Sequence, residues 1–199
     1  LIRTDVQKLL RIGIIIMILI LLFNLRSFAS VGMVLSIIFL SLGSMMGFMG
    51  WMTLLTGSSI FYFTMVNSSM PIILLTIANS DGVHVLTKFS SEFRISGEKN
   101  IAIKKMMSQL HFPIFLTSIT TGIAFLTLIS SPIRPLIGYG LCLAFGIIWA
   151  WILSITMLPA LICIKKWKIN SRQFSSRSPI ENGIKKLASL ITHYPRRCL

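Results

Sequence analysis

A single acidic residue, Asp81, lies inside the long apolar stretches of this chain. Apolar sequence precedes it from Pro71 to Ala78, interrupted only by Thr76. An ionised carboxylate at membrane depth costs of the order of a few kcal/mol, so it is expected to face a bundle interior and to bind a partner or a proton. A structural carboxyl is the alternative, but a neutral amide could serve structure without that cost. The position therefore favours function.

His84 and Lys88 follow Asp81 by three and seven residues, which places them on the same predicted helix face. Histidine ordinarily titrates near neutral pH, so a carboxyl and an imidazole at this spacing could pass a proton along the helix. Packing at the membrane edge is the alternative for His84. For Lys88 we expect the ammonium group to reach the lipid headgroups.

Hydroxyl groups cluster in the next apolar stretch, within the sequence LTSITTG. Hydroxyls at this density can bond between helices or hold water beside a buried carboxylate. Each could instead bond to a carbonyl of its own helix. Three of them recur on nearly one face, and we expect at least one to face Asp81. The predicted proton relay consists of Asp81, His84, Thr117, Thr120 and Thr121.

Membrane-spanning helices are the elements that would position these residues. The chain has 199 residues, of which 54% are hydrophobic and 12% charged, a composition typical of membrane proteins. About 20 apolar residues cross a bilayer as a helix. The predicted fold is an all-α, polytopic membrane bundle with five transmembrane helices at about 9–28, 31–55, 67–88, 112–130 and 135–164. Gly43 and Gly47, and Gly138, Gly140 and Gly146, predict close helix packing.

Lysine and arginine are distributed unequally between the two sides of the predicted bundle. The net charge is +14, from 19 basic and five acidic residues. Most basic residues lie in the 89–111 loop, in which Gly97 is expected to separate two helical pieces, and in the C-terminal tail. The positive-inside rule therefore predicts that both are cytoplasmic. We also predict that the protein is a multi-pass protein of the cell inner membrane. This pattern explains the charge without a nucleic-acid partner.

Residues 165–199 are predicted to form a basic cytoplasmic segment after a transmembrane domain at 1–164. Apolar residues recur at helical spacing between positions 180 and 191, as in a helix on a membrane surface. A link to a following domain is the alternative. Because the chain begins with Leu1 and ends soon after a basic segment, we expect it to be part of a longer protein.

Patterns of soluble-type catalysis are missing from the sequence. It has no GxxxxGK loop, no His and Cys cluster with metal-ligand spacing, and no Ser with a suitable base outside the membrane. We expect the three cysteines to be free thiols rather than a disulfide framework. We predict that the protein is not an enzyme and uses no bound cofactor.

Three segments occur in a recognisable order: SDGVHVLTKFSSEF, then HFPIFLTSITTGIAFLTLISSPIRPLIGYG, then SITMLPALI. Together they resemble the resistance-nodulation-division (RND) superfamily, and within it the MMPL-like branch of hydrophobe exporters. Members commonly carry Asp, a variable residue, an aliphatic residue and His in one helix, matched by Asp81 to His84. The next helix carries the threonines matched by Thr117, Thr120 and Thr121. The resemblance covers about residues 9–164.

This resemblance implies that the five spans are helices two to six of a six-helix half, the unit shared with sterol-sensing domains. It implies export of hydrophobic or amphiphilic, lipid-like molecules driven by the proton motive force. Asp81 would be the proton-binding carboxylate, with protons as the coupling ion and His84 a companion. The implied partners are membrane lipids, a hydrophobic substrate and a second half of the same chain, with a homo-oligomer left open. Gly82 departs from the aromatic residue or Ser of many members.

Two other functions are compatible with the sequence. The same helices could form a lipid- or sterol-sensing module that does not transport. Protein export, as in the SecD and SecF relatives, is less favoured because their Asp is typically followed by Ala-Asn, whereas Gly82 and Val83 stand here.

Overall fold

Five long α-helices make up most of the computed structural model, which describes residues 2–25, 27–57, 59–62 and 66–165. Short 3-10 helices cover Ser59–Phe61, Val66–Ser69 and Thr127–Ser130. No strand occurs in these residues, so the predicted all-α class is confirmed. The long helices are α1 (Ile2–Leu25), α2 (Phe28–Thr56), α3 (Met70–Ser96), α4 (Lys99–Leu126) and α5 (Arg134–Ile164).

Four segments in the described part of the chain are long and apolar enough to cross a membrane, and they contain α2 to α5. The first predicted span falls on α1, whose apolar stretch, Arg11–Phe23, is shorter. The chain is therefore an all-α membrane bundle. The four long segments are Phe28–Thr56, Val66–Ser96, Lys99–Ser130 and Arg134–Ile164.

Helices α3 and α4 continue beyond their apolar stretches and meet at Gly97, so the predicted 89–111 loop is largely helical. Gly97 has a φ of 69°, and its N–H donates to the carbonyl of Phe93 at 3.0 Å. A left-handed residue of this kind ends a helix and favours glycine. The prediction that Gly97 separates two helical pieces is confirmed. We call this side of the bundle the Gly97 end.

The first turn of α2 and the last turn of α5 also lie at the Gly97 end. The Lys99 ammonium group donates to the carbonyl of Cys163, and that of Lys165 donates to Ser27 Oγ at 3.3 Å. Partial burial lowers the pKa of Lys165 below its ordinary value. Lys165 is the last described residue, and the predicted surface helix in the tail lies outside the described residues.

Helices α3 and α5 form the centre of the bundle. They pack against each other, and each also packs against α2 and α4. Gly146 allows a close approach, because a Cβ atom there would lie 3.1 Å from both Leu74 Cδ2 on α3 and Met45 Sδ on α2. Leu74 and Met45 are themselves fully buried. Helices α2, α3 and α5 thus contact one another at the centre of the structure.

Glycines also set the spacing between α4 and α5. A Cβ atom at Gly140 would lie only 2.4 Å from the carbonyl oxygen of Phe125. The prediction of close packing is confirmed for this glycine and for Gly146. It is wrong for Gly43 and Gly47, which are exposed and have no atom of the described structure within 4 Å of an added Cβ. Their stripe on α2 points away from the other helices.

Candidate functional site

Asp81 lies near the middle of α3 and is only 7% exposed. Its Oδ2 atom is buried and has no hydrogen-bond partner among the described residues. The apolar residues one and two turns before it, Ala78 and Leu74, are completely buried. The structure therefore places this carboxyl group inside the bundle, as the sequence predicts.

Neighbouring contacts define the direction in which Asp81 points. Residues seven apart lie on nearly the same helix face, so Asp81 shares the face of Leu74, which contacts Gly146 of α5. Gly82 instead faces α2, since a Cβ atom there would lie 2.9 Å from Val34 Cγ1. Asp81 consequently points to the side of α3 that faces α5, and Gly82 lets α2 approach closely beside it.

The structure does not bring His84 to Asp81. His84 is exposed, and no hydrogen bond or ion pair between described residues joins the two side chains. Lys88 lies 3.0 Å from Glu92 Oε1, with side-chain exposures of 33% for Lys88 and 9% for Glu92. Sequence reasoning missed this ion pair because Glu92 falls in the predicted loop. The spacing of four residues between opposite charges was the available signal.

Thr117, Thr120 and Thr121 bond within their own helix, which was the alternative reading of these residues. The hydroxyl groups of Thr117 and Thr120 donate to the carbonyls of Ile114 and Leu116 at 2.9 and 2.8 Å, and both residues are exposed. Thr121 is half-buried and donates to the Thr117 carbonyl at 2.7 Å. The described structure brings none of the three into contact with Asp81, and their part in a relay stays a prediction.

Ser118 is the hydroxyl residue of this segment that points inward. It is 3% exposed, and its Oγ atom has no partner in the part of the chain that the structure describes. Ile114 and Gly122 lie on the same buried stripe of α4. The signal in the sequence was this spacing of four residues, whereas the threonines were selected because they recur on nearly one face.

A second inward hydroxyl group, that of Ser154 on α5, was not selected from the sequence. Ser154 is 0% exposed, and its Oγ atom also lacks a partner among the described residues. A lone serine in an apolar run carries little signal. Two further buried polar atoms share this lack of a partner, Asn79 Oδ1 on α3 and Trp151 Nε1 on α5.

Protonation and hydrogen bonding are the chemistry that this arrangement supports. Asp81 is the buried acid, and hydroxyl groups of α4 and α5 also point into the bundle. Between residues 2 and 165, where the structure is described, no group of three or more His, Cys, Asp or Glu side chains could hold a metal ion. Asp81 can bind a proton or accept hydrogen bonds when ionised.

Comparison with known proteins identifies the family. A relative from Methanocaldococcus jannaschii, named as membrane protein MJ1562, is 26% identical over 102 residues, which cover 51% of this chain and 26% of that protein. The chain thus spans about a quarter of the length of this relative. No solved structure matches with significance. The model of the MMPL family matches residues 1–195. Because that match covers nearly the whole sequence, the chain belongs to the MMPL family.

Proposed function

We propose that this chain is part of a transporter that exports hydrophobic or amphiphilic, lipid-like molecules across the cell inner membrane and is driven by the proton gradient. The observation that carries the proposal is the buried carboxyl group of Asp81, whose Oδ2 atom lacks a hydrogen-bond partner among the described residues. Membership of the MMPL family supports the substrate class. The activity belongs to the whole protein, of which this chain supplies the proton-binding part.

A proton-driven transporter needs a group at membrane depth whose protonation changes the balance between two packings of the bundle. Neutralising a carboxylate in this environment changes its free energy by roughly 3 kcal/mol. That difference corresponds to a roughly 100-fold change in the ratio of two states. Because α3 packs against α2, α4 and α5, a change at Asp81 acts on the contacts of three neighbouring helices.

In this proposal, the distribution of basic residues sets the direction in which protons cross the bundle. Lys104 and Lys105 are exposed near the start of α4, and Lys99 and Lys165 also lie at the Gly97 end. The positive-inside rule then places the Gly97 end in the cytoplasm. Protons would reach Asp81 from the opposite side and leave toward this basic end.

Replacing Asp81 by Asn tests the proposal, since the amide keeps the shape and removes the titratable group. The full-length protein is reconstituted in phospholipid vesicles with a fluorescent fatty acid as the transported probe, and a pH gradient is imposed. We expect Asp81→Asn to lower gradient-driven probe movement to the level of protein-free vesicles. Glu92→Gln is the matched control, because it neutralises another buried acid of α3 and is expected to keep transport.

Two results would contradict the proposal. Wild-type transport by Asp81→Asn would show that the carboxyl group does not couple protons to transport. Equal loss in Asp81→Asn and Glu92→Gln would indicate a general effect of removing a buried acid. A wild-type protein that binds the fatty acid but does not move it under any gradient would favour a lipid-sensing module.

A further inference from the structure

Three of the polar side chains that are more than nine-tenths buried have an oxygen atom without a partner in the described part of the chain, and they lie on three different helices. They are Asp81 on α3, Ser118 on α4 and Ser154 on α5, with exposures of 7%, 3% and 0%. Each has an oxygen atom without a hydrogen-bond partner among the described residues, namely Asp81 Oδ2, Ser118 Oγ and Ser154 Oγ. The three helices pack against one another in pairs. Buried polar atoms usually have a hydrogen-bond partner, so each of these three requires an explanation.

The helix contacts place these three residues at nearly the same depth. The contact between Leu74 and Gly146 gives a common level for α3 and α5, which run in the same direction. At a rise of 1.5 Å per residue, Asp81 and Ser154 lie about 10 and 12 Å further toward the Gly97 end. Gly122 contacts Ile148 of α5. Ser118, one turn before Gly122, therefore lies about 9 Å from the same level in the direction of the Gly97 end.

All three side chains also point toward the space between α3, α4 and α5. Asp81 shares the α3 face that contacts α5, as described above. Ser118 lies one turn from Gly122, which faces Ile148 of α5. Ser154 is completely buried, and around the axis of α5 it falls between Gly146, which contacts Leu74 of α3, and Gly140, which contacts the end of α4. Depth and direction together define a polar layer, made of Asp81, Ser118 and Ser154.

Other hydroxyl groups of the bundle donate to a backbone carbonyl of their own helix, whereas Ser118 and Ser154 do not. Ser41, which is also completely buried, donates to the carbonyl of Ile38 at 2.9 Å. Serine and threonine in helices commonly satisfy themselves in this way. The hydroxyl groups of Ser118 and Ser154 make no such bond and are therefore available to a group placed between the helices.

We propose that the polar layer binds one buried water molecule, which accepts hydrogen bonds from Ser118 and Ser154 and donates one to the Asp81 carboxylate. A buried water molecule typically makes about three hydrogen bonds to otherwise unsatisfied groups, which is the number that the layer offers. The water stabilises the ionised carboxylate. This inference rests on the proposed function only for the role of Asp81 in coupling protons to transport. Binding of the water does not require transport.

Other ionisable groups of the packed helices lie away from the layer. α2 carries none between Phe28 and Thr56. On α4 the nearest is His111, which is exposed and about 10 Å nearer the Gly97 end than Ser118. On α5 it is the exposed Cys163, nine residues after Ser154, and on α3 it is the exposed His84. On α1, Arg11 is the basic residue nearest to the polar layer along the helix among those whose positions are described.

The pH dependence of carbodiimide labelling at Asp81 tests the layer, because the reagent attacks the protonated carboxyl group. Full-length protein in phospholipid vesicles is labelled at a series of pH values, and the Asp81 peptide is quantified by mass spectrometry. Ser118→Ala and Ser154→Ala each remove a hydroxyl group that holds the water. We expect each to move the labelling midpoint upward by about one pH unit, a tenfold change in proton affinity. Ser41→Ala is the matched control and should leave the midpoint unchanged.

Radiolytic footprinting supplies a second readout, since hydroxyl radicals formed from a bound water modify the side chains beside it. We expect modification of the peptides that carry positions 118 and 154 in the wild type, and its loss in either alanine variant. Unchanged midpoints in both variants would overturn the proposal. A midpoint that depends on Na⁺ at constant ionic strength would also overturn it, because a cation would then occupy the layer.

The outcomes for the water and for transport can be told apart. A shifted labelling midpoint together with wild-type transport by Asp81→Asn would support the polar layer and contradict the proposed function. Loss of transport in Asp81→Asn with unshifted midpoints in both serine variants would do the reverse.

Discussion

Gly140→Ala is the substitution whose effect the structure defines most directly. The added Cβ atom would lie 2.4 Å from the carbonyl oxygen of Phe125 and 2.9 Å from Leu128 Cβ. Close carbon–oxygen contacts in proteins are about 3.3 Å or longer. The backbone of α5 would therefore have to move about 1 Å away from the end of α4, where the rings of Phe125 and Tyr139 lie 6.4 Å apart.

The expected cost combines two opposing terms. Overpacking a well-packed interface costs about 1–3 kcal/mol, and the upper part of that range applies because the obstructing atom belongs to the backbone. Replacing glycine by alanine inside a helix returns about 1 kcal/mol. The net destabilisation of the local packing is about 2 kcal/mol, equivalent to a roughly 30-fold increase in the population of locally opened states.

Two cysteines of the bundle provide the assay. Cys142, two residues after the substitution, is buried, whereas Cys163 near the end of α5 is exposed. Maleimide labelling of the full-length protein in membranes is followed separately at the two peptides by mass spectrometry. In Gly140→Ala we expect labelling of Cys142 to accelerate roughly 30-fold, while Cys163 reacts at its wild-type rate.

Gly47→Ala is the control for this experiment. No described atom lies within 4 Å of a Cβ at Gly47, so this variant should label at Cys142 no faster than the wild type. If Gly140→Ala and Gly47→Ala gave the same rate at Cys142, the reasoning from the close approach of α4 and α5 would be refuted.

Two further predictions concern the Gly97 end. Lys88→Met leaves the nearly buried Glu92 carboxylate without the ammonium group 3.0 Å away; we expect a loss of about 1–3 kcal/mol, seen as a lower thermal midpoint of the full-length protein in detergent. Adding Glu92→Gln should recover most of that loss, and no recovery would contradict the ion pair. Gly97→Ala places a side chain at a φ of 69° and should cost about 1 kcal/mol in the same measurement. Gly97→Asn should cost less, because asparagine tolerates this conformation.

The sequence predicts the helices of this bundle better than the faces that they present. Apolar length locates the spans, and the cost of a buried charge locates Asp81 inside one of them. Apolar length does not show where α3 ends, because a helix that leaves the membrane continues until Gly97 stops it. Ser118 and Ser154 were missed for a different reason. Lipid and bundle interior are both apolar, so the pattern of polar and apolar residues does not distinguish the inner face from the outer face.

The contact between Gly82 and Val34 has a consequence for how sequences of this family diverge. Val34 is completely buried, and its γ-methyl groups occupy the space that a side chain at position 82 would need. A valine is stiff about χ1 and cannot turn both methyl groups away. The side chains at the two positions therefore compete for the same space. A lineage that gains a larger residue at position 82, beside the carboxylate, must first, or soon afterwards, gain a smaller residue at position 34. Positions 34 and 82 should be inherited as a pair, although 48 residues separate them along the chain.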